Sequence, residues 1–140
     1  MGQRGNYIIK AENKLDIFYT HWRAYLIAQD LLLGSNKFID FVRQFDKHDE
    51  LIDEPWIEGC VLIDLDSKKL LFWELEQLFE FSIRQKYLDK LQEKWDGWEI
   101  AFAEMGMFDI QVETGIDYTS KQENDFRKIE LEKIINDADD

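Results

Sequence analysis

Residues 59–75, GCVLIDLDSKKLLFWEL, restrict the possible folds more than any other stretch of the chain. They hold two apolar runs joined by Asp66, Ser67 and Lys68. Successive side chains of an extended chain point to opposite faces, so Val61, Ile63 and Leu65 share one side and Cys60 and Leu62 the other. Asp64 marks the approach to the turn. The return run Leu70, Leu71, Phe72 and Trp73 is apolar on both sides as well. Strands with two oily faces are normally covered on both. The stretch therefore predicts a hairpin in the middle of a sheet.

A first hairpin is expected ahead of it. Tyr7, Ile8, Ile9 and Lys10 on one side, and Leu15 to Tyr19 on the other, flank a short polar connection. Asn13 there tolerates the positive φ of a tight turn. Between the hairpins, Tyr25, Ala28 and Leu32, with Leu26 and Leu33, sit at helical spacing, and Gly34 suits a stop. Ser35 or Asn36 can cap a second helix reaching residue 45, with Phe38, Phe41, Val42 and Phe45 on one face.

The longest helix is expected within residues 76–95. Ile83, Tyr87, Leu88, Leu91 and Trp95 form its apolar stripe, and Asp96-Gly97 ends it. Residues 98–103 alternate with period two and read as a half-exposed strand. Residues 104–115 suit either a loop or a short helix. Ser120 and Glu123 fit a capping box for a last helix, with Phe126, Ile129, Ile134 and Ile135 expected to dock on the body. Its acidic end is expected to fray. The sum is an α+β fold: a mainly antiparallel sheet of about five strands, from two hairpins plus one strand, with helices packed on it. A chain of 140 residues reads as one domain. Residues 1–119 form its body, and 120–140 a C-terminal helix and tail of the same domain.

Chemistry is sparse. The chain has two histidines, His21 and His48, and one cysteine, Cys60. They show no zinc-ligand spacing. The acids near residue 50 lack the alternating ligands and central glycine of a calcium loop. No glycine-rich phosphate loop is present. Glu74, Glu76 and Glu80 offer carboxylates, but no sugar-binding pattern accompanies them. Trp95 and Trp98 read as closing a core over a helix-to-strand turn rather than as a stacking platform. No metal, cofactor or catalytic set is therefore assigned. The chain has no apolar signal core and no run of membrane-spanning length, so a cytoplasmic setting is expected.

Charge is the feature that remains. Thirty acidic and 17 basic side chains give a net charge of −13. Such an excess repels nucleic acid and anionic membranes, and attracts basic surfaces. It is concentrated in residues 46–58, DKHDELIDEPWIE, which also hold the single proline, Pro55. This segment reads as a long exposed loop. Asp46, Asp49, Glu50, Asp53 and Glu54 lead into Trp56. An anchored aromatic among steering charges is the usual composition of a protein-binding hot spot. These six residues are the candidate partner-binding site, and the partner implied is a basic protein.

In size, acidity, aromatic richness and absence of catalytic motifs, the chain resembles the small acidic immunity proteins of bacterial polymorphic toxin systems. The resemblance is one of type and rests on no signature motif. It implies a non-enzymatic inhibitor whose carboxylates cover a basic toxin site, such as that of a nuclease. Two other readings stand beside it. One is a small hydrolase or transferase using His21 with a carboxylate or Cys60. The other is a self-assembling protein, a homodimer burying Phe79 and Phe81 across its seam.

Overall fold

The computed structural model describes residues 4–51, 57–75, 78, 80–116 and 121–138, with side chains of the last segment described from residue 130 on. Six strands form one sheet: β1 (Arg4–Ala11), β2 (Lys14–Thr20), β3 (Asp46–His48), β4 (Ile57–Asp64), β5 (Lys69–Glu74) and β6 (Glu99–Phe102). Their spatial order is β3-β2-β1-β4-β5-β6. Both expected hairpins are present, β1 with β2 and β4 with β5. β4 lies between β1 and β5, as a strand apolar on both faces requires.

Two expectations about the sheet are corrected. It is mixed, because β1 runs parallel to β4 and β5 parallel to β6. It also has six strands among the described residues rather than about five. Parallel neighbours need a crossover of a dozen or more residues. The helical segments after β2 and after β5 provide it. Period-two alternation is the same in either kind of pairing, so it does not reveal on which side the next strand docks. The additional strand, β3, lies in the acidic segment read as loop. Three polar residues carry no periodic signal, and β3 is set by backbone pairing with β2.

A single 3-10 turn (Ala24–Leu26) runs into α1 (Ile27–Leu31), followed by α2 (Ser35–Val42). The expected helix at 24–33 is thus shorter than its apolar spacing suggests. After β5 come α3 (Phe81–Lys94), α4 (Met107–Thr114) and α5 (Lys121–Ala138). α4 decides the ambiguous segment, and left-handed Gly115 ends it by donating its N–H to Gln111 O at 2.7 Å.

The sheet carries a core on each face. On one, Tyr7, Phe18, Val61, Ile63 and Phe72 pack under Ile27 and Leu31 of α1, Phe38 and Val42 of α2 and Leu91 of α3. On the other, Ile8, Ile17, Cys60, Leu62, Leu71 and Trp73 pack under Met107 and Ile110 of α4. The register aligns these layers: Ile8 faces Ile17 and Leu62, and Leu62 faces Leu71. Trp95 and Trp98 are both buried, ring to ring at 5.0 Å, and Trp95 Nε1 donates to Leu31 O at 2.7 Å. They close the core, as read from the sequence.

The two hairpin tips are stitched together. Glu12 and Asn13 both have positive φ, 54° and 61°. Their N–H groups donate to the Asp66 carboxylate at 2.7 and 3.0 Å. Asp64 in turn accepts from the N–H groups of Asp66 and Ser67. The hydrogen bonds from Asn13 and Glu12 N–H hold the Asp66 carboxyl below its ordinary range.

Two helix faces depart from expectation. Along α3, Leu91 is buried but Ile83 is 50% exposed, and Arg84 takes the inward position. On α5, Ile134 and Ile135 remain exposed rather than docked. Ser120, the side chains of Phe126 and Ile129, and residues 139 and 140 lie outside the described residues.

Candidate partner-binding edge

β3 ends the sheet on the side of β2. Its three residues follow from the helical crossover, and Asp46, Lys47 and His48 lie opposite Tyr19, Phe18 and Ile17. Asp46 and Lys47 are exposed, as are Asp49 and Glu50 just beyond. The structure thus brings three of the six predicted carboxylate and indole positions to one sheet margin. Asp53, Glu54 and Trp56 lie outside the described residues. Lys47 Nζ reaches Asp16 Oδ1 of the neighbouring strand at 3.1 Å. An exposed pair of this kind contributes little stability.

Sequence reasoning missed the aromatic part of this margin. Trp22, just after β2, is 64% exposed. Its ring meets His21 edge-on at 4.3 Å, His21 meets Tyr19 at 6.4 Å, and Tyr19 meets His48 of β3 at 5.2 Å. Tyr19 Oη and His21 Nδ1 lie within hydrogen-bonding distance, 3.3 Å. Four rings therefore form a row beside Asp46. The signal available in the sequence was the cluster Tyr19, His21, Trp22 at a strand end. What it lacked was the return of residues 46–48 alongside.

The margin has a rigid support. Arg23 follows Trp22 and makes two hydrogen bonds to Asp30 of α1, Nε to Oδ2 and Nη2 to Oδ1, each 2.9 Å. Its guanidinium also lies over Phe41 of α2, 4.7 Å from the ring centroid. This clamp ties the end of β2 to the helices that deliver β3.

The structure does not bring Cys60 and His21 together. Cys60 stands opposite Asn6 of β1 and Trp73 of β5 and is fully buried. Burial pushes its thiol well above the ordinary range, which suppresses the thiolate. β1 separates it from β2, whose end carries His21, a sheet distance of roughly 10 Å. Of the three carboxylates considered for sugar chemistry, Glu74 is buried and accepts from Leu78 N–H at 2.5 Å, and Glu80 accepts from Ser82 Oγ. Glu76 lies outside the described residues. Among the described residues no group of three or more His, Cys, Asp or Glu is placed to hold a metal ion.

A cleft of about 290 Å³ lies elsewhere, at the end of β5 and β6. Trp73, Glu74, Leu78, Arg84, Phe102 and Glu104 are among its lining residues. Arg84 is 8% exposed and lies over Phe102, 4.4 Å from the ring centroid, with Nη2 donating to Glu104 Oε1 at 2.7 Å. Sequence reasoning did not assemble this group, because its members come from three elements distant in the chain.

Fold and margin together define a class: an α+β protein with an open mixed sheet, one edge of which is acidic and aromatic. No helix among the described residues is long and apolar enough to cross a membrane. No family model and no curated protein matches the chain. A solved structure titled as an automated NMR structure of TA0956 is similar at 16% identity, covering 73% of this chain and 98% of that one, with a TM-score of 0.41. A likeness that distant carries no argument about activity.

Proposed function

We propose that this chain is a non-enzymatic protein-binding module of the immunity or inhibitor kind. Its acidic edge covers a basic site on a partner, and a toxin domain with a nuclease site is the partner this chemistry fits. The observation that carries the reading is the juxtaposition of exposed Asp46, Asp49 and Glu50 with the row Trp22, His21, Tyr19 and His48. Carboxylates on a sheet margin can stand where phosphates would bind. An exposed indole beside them supplies the apolar anchor that charges alone lack.

The test is charge reversal of Asp46, Asp49 and Glu50 to Lys. Three reversals move the net charge from −13 to −7. Stability is expected to stay within about 0.5 kcal/mol per site, since all three side chains are exposed. Association with the product of the adjacent gene, followed by stopped flow at several salt concentrations, is expected to slow by roughly 10- to 1,000-fold at low salt. Its salt dependence should flatten as well. An unchanged low-salt rate would reject the edge as the contact surface.

A further inference from the structure

We propose that the cleft between β5, β6 and the start of α3 binds a small, flat, apolar molecule bearing a single carboxylate. The site lies near the opposite end of the sheet from β3 and does not depend on the partner-binding reading.

The argument starts from Arg84. A guanidinium this buried needs its donors satisfied, because an unpaired buried donor costs a desolvation penalty. Nη2 has Glu104 at 2.7 Å, but Nε is buried and has no hydrogen-bond partner among the described residues. Glu104 is itself a loose occupant, with its side chain 62% exposed on the rim. It can turn to water at little cost, whereas Arg84 cannot. A ligand carboxylate entering the cleft would take the guanidinium edge from Glu104, and could bind it in the two-pronged way that a planar guanidinium favours.

The walls define the rest of the ligand. Trp73 and Phe102 present aromatic surface, and Leu75, Leu78 and Ala103 are apolar. The Trp73 indole N–H is already directed to Met107 Sδ at 3.4 Å, so that ring offers its apolar body rather than a donor. The volume of about 290 Å³ equals roughly ten water molecules of liquid, enough for one aromatic ring with a short acid arm. Charge limits the ligand to a monoanion. A single carboxylate can take the place of Glu104 on Arg84, while a doubly charged phosphate would bring a second negative charge beside Glu74.

Titration of the intact protein with phenylacetate, followed by ¹⁵N–¹H NMR, tests this. Phenylacetamide serves as the neutral control of the same shape. Saturable shifts are expected at the Trp73 indole N–H and at the amides of Ala103, Glu104 and Gly106, with the acid binding at least about tenfold more tightly than the amide. Glu104→Gln removes the competing charge without removing the cleft, and should tighten phenylacetate by roughly fivefold while leaving phenylacetamide unchanged. Arg84→Met should abolish the preference for the acid. Equal affinity for acid and amide would overturn the proposal, as would shifts centred outside the cleft. Because Arg84→Met can fail to fold, Glu104→Gln stands as a second test: unchanged or weaker phenylacetate binding in that variant would also overturn it.

Discussion

Replacing Arg23 by Met should destabilise the protein by about 3 kcal/mol, more than replacing its partner Asp30 by Asn. The Asp30 side chain is 5% exposed and that of Arg23 37%, so the two ends of the pair have unequal access to water. Both hydrogen bonds between them are 2.9 Å long. Breaking a buried ion pair costs about 3–5 kcal/mol, most of it from the charge left behind. Arg23→Met strands a buried carboxylate, while methionine keeps much of the packing on Phe41. The exposure of the guanidinium screens the pair and favours the low end, about 3 kcal/mol. Asp30→Asn keeps the shape and one acceptor, and Arg23 can turn outward, so about 1.5 kcal/mol is expected. In urea, with an m-value of roughly 2 kcal/mol per molar, these losses move the midpoint down by about 1.5 M and 0.7 M at constant m. Tryptophan fluorescence reads both. Amide exchange should show protection at Asp46, Lys47 and His48 falling before protection in β4, because the clamp holds the crossover that delivers β3. An Asp30→Asn cost equal to or above that of Arg23→Met would refute the argument from unequal burial.

Three further outcomes follow from the same structure. A Cβ at Gly59 would clash with Ile27 Cδ1 and lie 3.2 Å from Trp73 O, so Gly59→Ala should cost about 1–3 kcal/mol. Adding Ile27→Val removes the closer clash, and the double variant should lose less than the sum of the singles in denaturant titration. The depressed Asp66 carboxyl contributes stability that is fully present above its ordinary value of 3.8 and is lost as pH falls through the lower folded value. Asp66→Asn should therefore show a shallower fall in stability between about pH 4 and pH 2 than the unaltered protein, by thermal melts across that range; an equally steep fall would contradict it. Cys60, buried and with a raised thiol pKa, should react with a thiol reagent at pH 8 only at the rate at which the chain opens. Rapid labelling of the native protein would contradict its placement in β4.

Much of this architecture was already written in the residues that have only one comfortable environment. Cys60 to Ile63 and Leu70 to Trp73 are apolar on both sides of a strand, and water forces such strands inward wherever they occur. Asn13 and Gly34 mark turns by tolerating backbone angles that other residues resist. These are local effects, so they can be read locally. Ile83 and Arg84 show the opposite case. Helical spacing points Ile83 inward, yet the rings of Phe81 and Phe102 and the carboxylate of Glu104 draw Arg84 in. Phe81 is a local neighbour, but Phe102 and Glu104 reach Arg84 only after the chain has folded.

The functional margin divides along the same line. Asp46, Asp49 and Glu50 are dense enough in charge to be exposed from composition alone. That Asp46, with Lys47 and His48, pairs with β2, and so brings the acidic segment beside Tyr19, His21 and Trp22, was decided by the helical crossover and the Arg23–Asp30 clamp. The direction of β4 beside β1 was decided there too. Side-chain alternation sets which face a residue joins, whereas strand direction and neighbour depend on where the intervening helices pack.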